Sequence, residues 1–170
     1  NAKLEALKNR FDAWVWEDAD RTNELVRLYN DKFNTTVPRA FDGRHLQLPG
    51  VSASILPKLH AHVKRAAWRI IQSGNTYLAH AVGAGKTWAA VISAMEMKRL
   101  GLIKKPFVTV PNHMLQQWAR EWLELYPAAR LMVADEEQFT GDNRRRFVAR
   151  AAMSDVDAII ITHSALKKLA

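Results

Sequence analysis

Residues Tyr77–Val91 read YLAHAVGAGKTWAAV, and the reading of this stretch decides the fold. The strict phosphate-loop pattern is glycine, four residues, then Gly-Lys-Ser/Thr. Gly85, Lys86 and Thr87 satisfy its end, while His80 stands where the opening glycine belongs. Context supports the loop nonetheless. An apolar run, TYLAH at 76–80, precedes it and reads as a strand; a helical pattern, KTWAAVISAMEMKRL at 86–100, follows. A chain that leaves a strand through glycines and enters a helix aims backbone N–H groups, and the positive end of the helix, at a bound phosphate. Gly83 and Gly85 supply backbone freedom and close approach. Lys86 is then the residue that reaches the β- and γ-phosphates, and the Thr87 hydroxyl is a ligand for Mg²⁺. Ala84 and Trp88 belong to the same stretch and are taken with the nucleotide site.

Outward from the loop, strands and helices alternate. FVTV at 107–110 is a strand ended by Pro111, and HMLQQWAREWLELY at 113–126 is a helix. RLMVA at 130–134 is a strand, NRRRFVARAAM at 143–153 a helix, and DAIIIT at 157–162 the most strand-like run of all. This alternation means βαβ units and a parallel sheet covered on both faces. On the other side of the loop, residues 58–72 read as a helix with Leu59, Val63, Ala66, Ala67 and Ile70 inward and Pro57 in its first turn.

The first fifty residues have a different texture. Leu4, Leu7, Phe11, Trp14 and Val15 form one helical stripe over 3–16, and Leu25, Leu28, Tyr29 and Phe33 another over 19–33. They predict two amphipathic helices packed as a hairpin, with the aromatic rings as its core rather than as a base-stacking surface. NTTVPRAFDGRHLQLPG at 34–50 has two prolines, two glycines and no periodicity, so it reads as an extended arm and the best candidate boundary.

Composition narrows the chemistry. The 170 residues are 48% hydrophobic and 25% charged, ordinary for a soluble globular protein with a real core. No apolar run approaches the ~20 residues that cross a bilayer. The absence of cysteine excludes disulfides, thiolate metal sites and a Cys nucleophile, and fits a cytoplasmic protein. The six histidines are scattered without metal-ligand spacing. The net charge is +8 and is not evenly spread. Residues 51–100 carry seven Lys/Arg against Glu96 alone, so the basic excess surrounds Gly85-Lys86-Thr87 and favours an anionic partner there. Three consecutive arginines, Arg144, Arg145 and Arg146, cannot share one helix face; with Arg150 they read as a solvated helix, with phosphate contact as the alternative.

HAVGAGKT at 80–87 resembles the Asp-Glu-Met-Gly-Leu-Gly-Lys-Thr of Swi/Snf-type superfamily-two helicase-like motors, with His for Asp and Ala for Leu. That family also lacks glycine at the opening position. Its next segments match in order. Pro111, Leu115, Trp118, Glu121 and Pro127 follow the second strand, and Asp157, AIII and THSAL (162–166) stand where the family has Asp, an apolar strand and Thr-Thr-Tyr-Glu-Ala-Leu. The resemblance implies that Pro111, Asn112, His113, Thr162, His163 and Ser164 sit on the face that meets DNA. A narrower resemblance covers nearly the whole chain. RFDAWVWED, YNDKFN, FDGRHLQLPG, SGNTYLAHAVGAGKT, LYPAARLMVA and DAIIITHSAL together look like large phage, plasmid and bacterial proteins that fuse such a helicase to an adenine-specific DNA methyltransferase. The fusion is implied by resemblance alone.

The chain also departs from the family. A glutamine ahead of the loop reads adenine in the family; the aligned dipeptide here is His62-Val63, with Val63 at that position, and a valine cannot hydrogen-bond a base edge. His62 is kept as the nucleotide-site residue of the pair. The Asp-Glu pair that holds Mg²⁺ and orients water, the second RecA-like lobe and the arginine finger are expected outside these residues. ADEEQ at 134–138 reads as a solvated turn.

The expectation is therefore an α/β fold. An incomplete RecA-like P-loop lobe, a parallel sheet flanked by helices, occupies 51–170, and a helical hairpin plus arm occupies 1–50. The implied cofactors are ATP and Mg²⁺. The implied partners are duplex DNA, gripped by its backbone without sequence preference, and the rest of a longer parent chain; the chain itself is expected to be a monomer. Two other readings stay open: a P-loop enzyme of another class, kinase or GTPase-like, and a nucleic-acid-binding module with a vestigial nucleotide site.

Overall fold

The computed structural model of the chain describes residues 2–35 and 39–169. It falls into two compact units that divide between Ala40 and Phe41. In the first unit, α1 (Ala2–Trp16) and α2 (Ala19–Tyr29) form the predicted hairpin. Asp18 caps α2 by accepting the Arg21 N–H at 2.8 Å. The Arg21 guanidinium lies 4.0 Å from the Trp14 ring centroid. The expectation that the rings form the hairpin's core fails. Leu4, Leu7, Phe11, Trp14, Leu28, Tyr29 and Phe33 are all exposed, and only Val15 and Leu25 of the two stripes are half-buried. Two short helices share a single seam, and the stripes are wider than that seam can cover.

The second unit begins within the arm. Residues 41–50, read from the sequence together with the hairpin, contribute Leu46 and Leu48 to the core of the α/β unit. The arm runs hard against α3 (Ala61–Ser73): a Cβ on Gly43 would lie 2.3 Å from the Lys64 carbonyl oxygen, so only glycine fits. Pro57 lies in a separate short turn, Leu56–Lys58, and not in the first turn of α3. Val63, Ala66 and Ala67 of α3 are buried as the periodicity predicts.

After the glycine loop come α4 (Lys86–Arg99), β1 (Phe107–Val110), α5 (Leu115–Leu125), β2 (Leu131–Ala134), α6 (Asp142–Met153), β3 (Ala158–Thr162) and α7 (His163–Leu169). The strands form a parallel sheet in the order β1-β3-β2. β3 is central and buried on both sides, which explains its unbroken apolar run. Ala158 and Ile160 face a core shared with Val91 and Ile92 of α4 and Trp122 and Leu125 of α5. Ile159 and Ile161 face a second core with Phe139, Phe147 of α6 and Ala165 of α7.

The strand expected at 76–80 is absent from this sheet. Residues 76–81 pair with no strand among the described residues. Burial does alternate along them: Thr76, Leu78 and His80 are half-buried, while Tyr77 and Ala79 are exposed. The segment thus has the side-chain habit of a strand without a ladder, because alternation is a local property and pairing needs a neighbour.

Candidate nucleotide-binding site

The glycine loop is built as the sequence requires. Gly83 and Gly85 both take left-handed backbone, with φ of +78° and +73°. Gly85 is the N-cap of α4, and the first intrahelical bond is the 2.9 Å one from the Ala89 N–H to the Gly85 carbonyl. The N–H groups of Lys86, Thr87 and Trp88 therefore have no acceptor within the helix. The Trp88 ring is half-buried and packs against the hydrophobic core. Thr87 is half-buried, and its hydroxyl lies in the same first turn.

Two side chains hold the loop. Lys86 Nζ donates to the carbonyls of His80 and Ala81, both at 3.0 Å, folding the ammonium over the loop's entrance. His62 Nε2–H donates to the Ala84 carbonyl at 3.0 Å, which ties α3 to the loop. Val63 is buried and points at the loop's backbone: a Cβ on Gly85 would lie 3.1 Å from Val63 Cγ2. Val63 is thus a packing residue beneath the loop, and the structure places His62 beside it.

The far end of α4 is anchored. Lys98 Nζ donates to Asp157 Oδ1 at 2.6 Å and to the Val156 carbonyl at 2.9 Å, joining α4 to the start of β3. Asp157 also accepts the Arg130 N–H at 2.8 Å. Burial alone would raise the Asp157 carboxyl, but the Arg130 N–H and the Lys98 ammonium outweigh it and hold the group below the usual carboxylate range. Nearby, Glu96 is buried, and its carboxylate accepts from Nε and Nη2 of Arg99. Burial, reinforced by Glu96, pushes the Tyr126 phenol upward.

The segments assigned to DNA by resemblance meet at the C-terminal edge of the sheet. Ser164 Oγ donates to Asn112 Oδ1 at 3.2 Å, so the two stretches are brought together. His113 and His163 are exposed, and Pro111 is half-buried. Thr162 stands apart from the others. It is buried, and its hydroxyl accepts the Ala165 N–H at 3.1 Å as the cap of α7. The same edge carries a cleft of about 410 Å³ lined by Asn112, Asp135, Glu136, Thr140, Thr162 and Lys168, among others. Asp135, Glu136, Glu137 and Gln138 are exposed, in keeping with a solvated turn, yet Glu136 pairs with Lys168 at 2.9 Å. Sequence reasoning did not place Glu136, Thr140 or Lys168 here. The signal available was topological, since loops at the carboxyl ends of parallel strands converge.

Comparison with known proteins adds three findings. A family model described as "Probable helicase domain" matches residues 68–170, and one described as "Domain of unknown function (DUF8437)" matches residues 1–35. The chain is 29% identical over 124 residues to Defense against restriction protein B of Escherichia phage P1. That match covers 71% of this chain and 5% of the phage protein, so the chain spans about one-twentieth of its curated relative. The structure is similar to the Sulfolobus solfataricus SWI2/SNF2 ATPase core in complex with dsDNA, with a TM-score of 0.52 and 22% identity, covering 71% of this chain and 24% of that one. This likeness shows the fold: a mixed α/β lobe with a parallel sheet flanked by helices.

Proposed function

Because the chain belongs to the family described as "Probable helicase domain", we propose that it is the N-terminal part of an ATP-dependent DNA translocase motor. The observation that carries the proposal is the glycine loop at the head of α4. Gly83 and Gly85 are left-handed, three N–H groups lack helical acceptors, and the Lys86 ammonium already sits on backbone oxygens of the loop. These residues fit a nucleoside triphosphate. The N–H groups and Lys86 would hold the β- and γ-phosphates, with Lys86 exchanging two carbonyl acceptors for phosphate oxygens. Thr87 would ligate Mg²⁺, which when bound neutralises phosphate charge. The protein's part is positioning and electrostatic stabilisation rather than covalent chemistry.

Asn112, His113, His163 and Ser164 would contact the DNA backbone on the sheet edge. The fold neighbour's bound dsDNA and the phage relative's name, defence against restriction, favour a setting in which DNA is handled. The small share of that relative covered here supports a much longer parent protein. A second RecA-like lobe and an adenine-specific methyltransferase are the concrete form that the sequence resemblance gives to the remainder.

Two titrations of the 170-residue chain test the reading: calorimetry with ATP-Mg, and fluorescence anisotropy with a duplex at low salt. Both ligands should bind. Nucleotide binding without DNA binding would favour a P-loop enzyme of another class. DNA binding without nucleotide binding would favour a module with a vestigial site.

A further inference from the structure

We propose that the cleft between Phe41 and α3 holds a purine base by stacking and accepts guanine as readily as adenine. The proposal rests on the phosphate-loop reading above. The cleft has a volume of about 390 Å³ and is lined by Phe41, His62, Arg65, Arg69, Tyr77 and His80, with Ala66, Leu78 and Ala79. Its size is that of a small-ligand site. It adjoins the loop through two residues. His62 lines it while donating to the Ala84 carbonyl, and His80 lines it while its carbonyl accepts from Lys86. A triphosphate on residues 83–87 would therefore carry its base toward this cleft.

The walls suit a flat ring. Phe41 is placed by the contact that Gly43, two residues on, makes with the Lys64 backbone. The Arg69 guanidinium lies 5.7 Å from the Phe41 ring centroid, within cation–π range. His62, Arg65 and Arg69 lie three and four residues apart, on one face of α3. Tyr77 offers a second ring from the extended segment. Aromatic and guanidinium planes stack on any base.

The edge of the base meets nothing that selects adenine. Among the described residues, no carboxamide or carboxylate lines the cleft. Val63 lies beneath Gly85, and the His62 Nε2–H is engaged by Ala84. Arg65 and Arg69 are donors only, which suits the N7 and O6 acceptors of guanine as well as N7 of adenine. Tyr77 and His80 can donate or accept and so serve either purine.

The test is calorimetry of the 170-residue chain, and of its Phe41→Ala and Arg69→Gln variants, with ATP, GTP, CTP and inorganic tripolyphosphate, each with Mg²⁺. ATP and GTP should bind within about threefold of each other, and CTP more weakly. Phe41→Ala should weaken ATP and GTP alike by about tenfold, and Arg69→Gln should weaken both less. Tripolyphosphate, which has no base, should bind all three proteins equally. ATP binding more than tenfold tighter than GTP, or unchanged in both variants while tripolyphosphate still binds, would overturn the base site and leave the loop intact. Loss of tripolyphosphate in both variants would assign the effect to the loop or the fold and overturn the proposal. If the unaltered chain binds neither nucleotides nor tripolyphosphate, the loop reading fails and this one with it. A single-stranded oligonucleotide that displaces ATP through Phe41 would give the cleft to nucleic acid and equally refute it.

Discussion

Gly85→Ala should destabilise the chain through two separable causes. The first is backbone: at φ +73° an L-residue pays about 1–2 kcal/mol for left-handed geometry. Alanine's smaller unfolded-state entropy returns roughly 0.5 kcal/mol of that. The second is contact. The new Cβ would lie 3.1 Å from Cγ2 of Val63, a side chain only 2% exposed and packed in the core, so the crowding adds about 1 kcal/mol. The total is about 2 kcal/mol. Gly83→Ala isolates the first cause, since its φ is +78° and a Cβ there meets nothing within 4 Å; its cost should be about 1 kcal/mol. Val63→Ala removes the offending methyl. In that background Gly85→Ala should cost about 1 kcal/mol less than in the unaltered chain, a coupling of ordinary size for residues in contact. Urea unfolding of the four proteins of this cycle, compared at constant slope, measures it. A Gly85→Ala cost that is the same in both backgrounds would refute the contact between α3 and the loop. Negligible cost at both glycines would refute the left-handed loop itself.

Asp157→Asn should cost about 1.5–3 kcal/mol near neutral pH, because it removes the charged acceptor of Lys98 and of the Arg130 N–H. The Asp157 carboxyl is held below its ordinary value, so its stabilisation is present above that value and disappears as pH falls through the lowered one. Urea midpoints of parent and variant should therefore converge below about pH 4, and a gap that widens on acidification would contradict the anchor. Duplex DNA should bind weakly and without sequence preference, with a salt slope of about 0.9 per counterion released; tight binding indifferent to salt in an anisotropy titration would count against backbone contact. Replacing Arg144, Arg145 and Arg146 together by Ala should change that slope by less than about one counterion if α6 presents a solvated face. The 170 residues alone should release essentially no phosphate from ATP, with or without DNA, and DNA-stimulated release would place a catalytic carboxylate within them, with Asp135–Glu137 examined first.

What could be read in advance was mostly local. Three consecutive isoleucines announced β3 as a strand of a covered sheet, and the glycines at 83 and 85 announced a loop of free backbone at a helix start, whose φ values are left-handed. The TYLAH segment shows where local reading stops. Its inward Thr76, Leu78 and His80 obey the strand period, but whether a strand joins a sheet depends on residues far away in sequence. The hairpin rings failed for a related reason: periodicity reports a stripe, not the width of the surface that will cover it. Within the site, the loop residues were legible, whereas the bond from His62 to the Ala84 carbonyl and the contact of Val63 with Gly85 join residues 22 positions apart and have no local signature. Thr162 also caps a helix: a threonine ahead of a helix commonly does so, and its hydroxyl accepts the Ala165 N–H of α7.

The central claim is that residues 83–87 hold the phosphates of a nucleotide, and calorimetry of ATP-Mg against the chain and its Lys86→Ala variant tests it most directly. Lys86 is exposed, and among the described residues its ammonium bonds to the carbonyls of His80 and Ala81, so its removal leaves the core untouched. A charge-assisted hydrogen bond is worth about 1.5–3 kcal/mol, so the variant should lose roughly tenfold to hundredfold in affinity. Equal affinity in parent and variant would remove the loop from the site.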